Sequence, residues 1–303
     1  MTDPRTAGDT EAKLEAPPWH RRLVEGLGDL RETLRRNPTM LFGLVVLAIM
    51  AASAFAAPWL GLPDPMRQNP IGRLQGPSAE AWFGTDMYGR DLFSRVLHGG
   101  QISIVVGLSV AFLATVMGLA IGLVSGFDRR LDAVVMRLMD ALMSIPSILL
   151  AIALVALWGS SVRNVILALT IPEVPRVVRL VRSVVLMLRD QLFVQAAIAS
   201  GTSTPRILVR HIMPNTIPPL IVQATYICAQ AVIFEAYLSF VGAGTPPEVP
   251  SWGNIMAEGR ALWQIKPYLI AFPAIFLSIT ILAINMFGDG LRDAVDPRMA
   301  KRI

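Results

Sequence analysis

The feature that most constrains this chain is a series of apolar runs, most of them about 20 residues long, separated by polar or basic segments. Crossing the roughly 30 Å hydrocarbon layer of a bilayer takes about 20 residues of helix. With 53% hydrophobic and only 16% charged residues, the chain carries more apolar surface than a soluble core can absorb. The reading is an all-α polytopic membrane protein, and the excess of Lys and Arg is then a matter of topology, with no nucleic-acid partner implied.

Six spans are expected, at Met40 to Leu60, Ile102 to Phe127, Val135 to Trp158, Arg163 to Val185, Ile217 to Val241 and Tyr268 to Phe287. Pro146 is expected to kink the third, and Pro172, Glu173, Pro175 and Arg176 interrupt the apolar pattern of the fourth. Residues 1 to about 20 are polar and without periodicity. From Trp19 to Arg36, Leu23, Leu27, Leu30 and Leu34 recur at helical spacing among arginines, as in an amphipathic helix on an anionic membrane face or a solvated lead-in. The chain thus divides into an N-terminal tail (1–39), a membrane domain (40–290) and a C-terminal tail (291–303). With both tails inside, the inner segments hold about 20 of the 27 Lys and Arg, as the positive-inside rule requires.

The segment Gly61 to Gln101 is hydrophilic and contains Phe83-Gly84-Thr85-Asp86-Met87-Tyr88-Gly89-Arg90-Asp91. Gly84 and Gly89 suit turns, and Asp86, Arg90, Asp91 and Arg95 can form ion pairs that hold this loop over the next span. Near the third span's start, Asp140 and Arg137 are expected to snorkel or pair with each other. In the fifth span Glu235 stands at membrane depth, where a carboxylate is costly and marks a functional position by default, and a structural hydrogen-bond role at an interface between subunits is expected over proton transfer. Ala257 to Trp263 reads as a short interfacial helix.

Between the fourth and fifth spans, Asp190 to Asn215 is a basic island punctuated like two short helices. Asp190 can cap the first, and Gly201 sits where a left-handed residue would end it. Thr204 can cap the second, with Pro205 in its first turn and Pro214 breaking it before the next apolar run. Ala196, Ala197, Ala199 and Ser200 keep the first helix slim enough for another surface to approach. Without further information this is a hairpin that joins two spans.

No constellation of nucleophile and base is present, and no Gly-Lys pair occurs, so the phosphate-cradling loop of an ATPase is missing. The single Cys228 has no intrachain partner, and His20, His98 and His211 lie at no metal-ligand spacing. No catalytic residue, metal or cofactor is expected on this chain.

Four strings carry a resemblance. Gln195, Ala196, Ala197, Gly201 and Pro214 fall on the spacing of the cytoplasmic coupling loop of ABC-importer permeases, with Gln195, His211 and Met213 replacing that pattern's Glu, Ile and Leu. Gly84-Thr85-Asp86 and Gly89-Arg90-Asp91 resemble the signature of the C-type permease subunit of peptide and nickel importers. The strings opening at Glu235 and Gly288 are similar to that family's as well. The resemblance implies a type I ABC importer permease with six transmembrane helices and a cytoplasmic helix-turn-helix, in a bacterial inner membrane with both ends cytoplasmic. It also implies a homologous B-type permease partner, two ATPase subunits that hold ATP and Mg, and an extracytoplasmic binding protein. The family's substrates include dipeptides, oligopeptides, nickel chelates, glutathione and some oligosaccharides. A different class, an ion-coupled secondary transporter using Glu235 or Glu173, predicts internal repeats that the sequence lacks.

Overall fold

A computed structural model describes residues 37–295; the expected amphipathic helix at Trp19 to Arg36 lies outside them. The described residues form no β-strand beyond one isolated bridge, between Thr85 and Asp91. The helices are α1 (Pro38–Ala56), α2 (Leu92–Phe127), α3 (Arg129–Met143), α4 (Ser147–Trp158), α5 (Val162–Arg189), α6 (Leu192–Ala199), α7 (Thr204–Ile207), α8 (Met213–Val241), α9 (Trp252–Gly259) and α10 (Tyr268–Val295).

Helix α2 starts ten residues before the expected span because Asp91 caps it, accepting from the Ser94 amide at 2.7 Å. The expected third span is broken rather than kinked. α3 and α4 meet at 87° across Ser144–Pro146, where Pro146 supplies no N–H and the Ser144 hydroxyl donates to the Ala141 carbonyl at 2.7 Å. At 1.5 Å per residue, the 12 residues of α4 extend only about 18 Å. Asp140 pairs not with Arg137 but with Arg179 of α5, at 2.6 Å, because the bend lays α3 alongside α5. α5 runs unbroken through Pro172 and Pro175, its middle packed against α2.

By length and composition four helical stretches of the described residues can cross a membrane: Pro38–Trp59, Leu92–Phe127, Thr204–Val241 and Tyr268–Ala294. The bent α3–α4 pair makes a fifth if it counts as one span. α5 is long enough but carries Glu173 and a run of arginines.

Helix directions follow from close approaches. A Cβ on Gly43 of α1 would meet the Ala283 carbonyl and the Phe287 amide of α10 at 2.8 Å, and Gly290 lies against Met40, so α1 and α10 are antiparallel. Gly118, Gly122 and Gly126 of α2 pack on Val177, Val181 and Val185 of α5, an ascending register that makes α2 and α5 parallel. Gly107 of α2 faces Cys228 and Val232 of α8, and Ser103 meets Glu235, so those two run antiparallel. One end of the bundle therefore gathers the start of α1, the ends of α2, α5 and α10, the α6–α7 hairpin and the start of α8. The other end carries residues 57–91 and α9.

Candidate functional site

At the end carrying α9, the loop is held by an ion network that includes the expected Asp86 and Arg90. Asp86 Oδ2 accepts from Arg90 Nε at 2.6 Å and Arg95 Nη1 at 2.7 Å, while Oδ1 accepts from the Tyr88 and Arg90 amides. Glu258 of α9 closes the network, accepting from Arg90 Nη2 and Arg95 Nη1, each at 2.5 Å. Asp86, Arg90 and Arg95 are buried. Sequence reading missed Glu258, because nothing near it in the chain points to a loop more than 160 residues away. Asp91 belongs to no ion pair in this network; it caps α2, and burial pushes its carboxyl above the usual range against the opposing Ser94 and Phe93 amides. Gly84 and Gly89 take φ of +81° and +73°, and a side chain on Gly89 would collide with the Asn69 carbonyl. Thr85 ties the loop to itself, donating to the Gly72 carbonyl at 2.5 Å and accepting from the Gln75 amide at 2.9 Å.

The expected short helix begins at Trp252, five residues early, since Ser251 caps it by accepting from the Asn254 amide at 3.2 Å. Its Trp252 is buried and donates Nε1–H to the Val96 carbonyl at 2.9 Å. Glu235 is fully buried within this one chain, not at an interface between subunits. Its oxygens accept from Ser103 of α2 and Ser239 of α8, both at 2.9 Å, and Ser239 leads on to Thr245 and Asn254. The arrangement binds α2, α8 and α9 into one unit.

At the opposite end lies the Asp190–Asn215 segment. Its first helix, α6, spans Leu192–Ala199, and Gly201 has the left-handed φ of +73° expected of it. The Gly201 amide donates to Ile198 and that of Thr202 to Ala197, the paired bonds that close a helix at such a glycine. Two expected caps are not formed. α5 continues to Arg189, leaving Asp190 at φ −90°, ψ 0°, paired with Arg189, so Gln191 takes the N-cap position without a side-chain bond. Ser203 rather than Thr204 precedes α7, and its side chain makes no cap bond. Pro214 does not break the second helix either. A π-helical turn, Leu208–Ile212, precedes it and leads straight into α8, giving one helical stretch from Thr204 to Val241. The wider turn makes room for the proline ring, and Asn215 Nδ2 donates to the His211 carbonyl at 2.8 Å beside the lost bond.

Among the described residues, α6 leaves apolar side chains exposed. Leu192 is 87% exposed, Phe193 and Ile198 close to half, and Gln195 and Ala196 are open beside them, with Ala197 half-buried. Gln195 Nε2 donates to the Arg189 carbonyl at 3.1 Å, fixing the helix to the end of α5. His211 stands across the hairpin, its ring 6.5 Å from that of Phe193.

A helical membrane chain with a slim, apolar hairpin at one end and a rigid ion-paired cap at the other is the build of a transport permease. Residues 92–301 match the family described as the binding-protein-dependent transport system inner membrane component, and the chain belongs to it. Residues 27–77 also match the N-terminal transmembrane domain of oligopeptide transport permease C. The chain is 50% identical over 268 residues to the probable peptide ABC transporter permease protein y4tQ of Sinorhizobium fredii, covering 88% of this chain and 92% of that one. To the dipeptide transport system permease protein DppC of Alkalihalophilus pseudofirmus it is 41% identical, covering 88% of each. To the glutathione transport system permease protein GsiD of Escherichia coli it is 39% identical, covering 93% of this chain and 91% of that one. A solved inward-facing structure of the MetNI methionine ABC transporter shares the fold, with a TM-score of 0.56 and 21% identity over 68% of this chain and 98% of that one. The chain is accordingly a multi-pass membrane permease of a binding-protein-dependent importer, and the ion-coupled secondary transporter reading has no support.

Proposed function

We propose that this chain is one of two homologous permease subunits of a peptide importer, and that the segment from Gln195 to Pro214 docks on an ATPase subunit. The observation that carries the docking is α6 itself. Leu192, Phe193 and Ile198 form an apolar patch at the basic end of the bundle, away from the α9 end, and such patches mark contact surfaces. Ala196 and Ala197 let that partner come close to the helix, while Gly201 sets the hairpin's angle and His211 and Pro214 its second arm. ATP and Mg belong to two ATPase partners, and an extracytoplasmic binding protein delivers the solute to the opposite end. There the Gly84–Asp91 signature forms the rigid surface it meets.

Six crossings follow if the bent α3–α4 pair crosses once. The parallel packing of α2 and α5 supports this, because the intervening chain must return to the end at which α2 began. Antiparallel α1 and α10 bring residues 38–40 and 288–295 to the same end, and the positive-inside rule makes that end cytoplasmic. Peptides are favoured because the relatives named above carry peptides or glutathione in their names. The test is reconstitution of the four-component complex in proteoliposomes. Peptide uptake should require the binding protein and ATP hydrolysis; uptake driven by an ion gradient without ATP contradicts the reading.

A further inference from the structure

We propose that Arg176 is the membrane-depth contact for the terminal carboxylate of the transported peptide, a proposal that rests on the peptide reading above. Its depth follows from the packing of α5 on α2. Gly118 lies against Val177 and Gly122 against Val181, so Arg176 is level with Met117, close to the middle of the apolar stretch 102–127. Side chains on a helix lean toward its N-terminus, which carries the guanidinium back toward the centre.

At that depth Arg176 lies open on this chain's own surface. It is 43% exposed, whereas Glu173, Val174, Pro175, Val177 and Val178 around it are buried. An arginine at the centre of a membrane helix costs about 2.5–3.5 kcal/mol on insertion scales, so such residues face water-filled passages or partners rather than lipid. The exposed positions Arg176, Arg179 and Ser183 follow at helical spacing down one face of α5. α8 contributes Gln223 and Gln230 on one of its own stripes.

The guanidinium is aimed. Nη1 donates to Gln230 Oε1 at 2.9 Å and lies 3.1 Å from Glu173 Oε2. Glu173 is 2% exposed, and neither of its oxygens accepts a hydrogen bond of good geometry, so Arg176 is its counter-ion. A buried carboxyl group behind the arginine and an amide beside it position the side chain, and Nη1 alone makes both contacts. A planar carboxylate is the group that a guanidinium fork binds in bidentate fashion. Peptides of different sequence share their backbone and their two termini, so a permease that passes many of them can read the C-terminal carboxylate without reading side chains.

The experiment uses the whole complex in proteoliposomes, with dialanine and its C-terminal amide as probes. The binding protein's affinity for each is measured separately, so that uptake is compared at equal occupancy. Wild type should move the acid faster than the amide. Arg176→Gln should slow the acid about tenfold or more, the size expected for loss of a charge-assisted pair, and leave the amide nearly unchanged. Arg176→Lys should keep part of the preference. Gln230→Leu, which removes the aiming group, should reduce it, and this variant decides the matter if Arg176→Gln does not assemble. Equal slowing of both probes by Arg176→Gln, or by Gln230→Leu where Arg176→Gln does not assemble, would make Arg176 a structural residue and overturn the proposal. No acid preference in wild type would overturn it while leaving peptide transport intact; no peptide uptake at all would remove the peptide reading and the proposal together.

Discussion

At the scale of single residues, the sharpest consequence lies in the outer network. Asp86 is 3% exposed and pairs with two buried arginines, so Asp86→Ala leaves Glu258 alone in the network to balance two positive charges. Removing one partner from a buried charge cluster costs about 3–5 kcal/mol. A thermal-stability assay on purified protein should show a large drop for Asp86→Ala and a much smaller one for Asp64→Ala in the same loop. Equal effects would mean that the network contributes little. Most of this cluster was legible, since Gly84, Asp86, Gly89, Arg90 and Arg95 lie within a dozen residues. Glu258 was not, because its partnership exists only once α9 folds back over the start of α2. Glu235 was legible as a buried carboxylate but misplaced, since nothing local tells that its serine partners come from the same chain.

At the scale of elements, Gly118, Gly122 and Gly126 of α2 are the seam on which α5 sits. A Cβ on Gly122 would stand 2.7 Å from the Val181 Cβ, so Gly122→Leu must push the two helices apart. Overpacking of this kind costs about 1–3 kcal/mol. The same thermal assay should show that Val181→Ala partly rescues Gly122→Leu, while Val185→Ala, a turn further along, rescues it less. Equal rescue by both would place the strain elsewhere. Gly118 and Gly122 stand four residues apart, a small-residue spacing that lets helices pack closely, but nothing in the sequence names α5 as their partner. The caps at Asp190 and Thr204 were misread because the sequence does not tell whether α5 stops before Asp190. Pro214 was misread because a π-turn leaves no distinct mark in residue pattern. Helices end at Phe127 and Val241, where the apolar runs stop before Asp128 and Gly242, whereas Ser144–Pro146 hides an 87° turn that a proline by itself only hints at.

At the scale of the molecule, helix directions and charge together support the proposal that the end carrying the α6–α7 hairpin faces the cytoplasm. In a Cys228→Ala background, an impermeant thiol reagent should label a cysteine placed at Thr85 in intact cells far more than one at Ser203. Equal labelling would contradict the six-crossing arrangement. Glu235→Gln should leave uptake dependent on ATP and insensitive to uncouplers, because its carboxylate joins helices and carries no proton through the membrane. The central claim is that the α6–α7 hairpin transmits ATPase closure to this chain. Gly201 has space for a side chain but a φ of +73°, so Gly201→Val imposes backbone strain of about 1–3 kcal/mol where the hairpin turns. Ala197→Glu adds bulk and charge to the proposed contact. The most direct measurement is ATPase retention and uptake by complexes carrying each variant, purified through the partner permease. The account predicts that both variants insert at normal levels and keep that partner, yet lose the ATPase subunits and transport. Wild-type ATPase retention and uptake in both would show that this hairpin is not the coupling element.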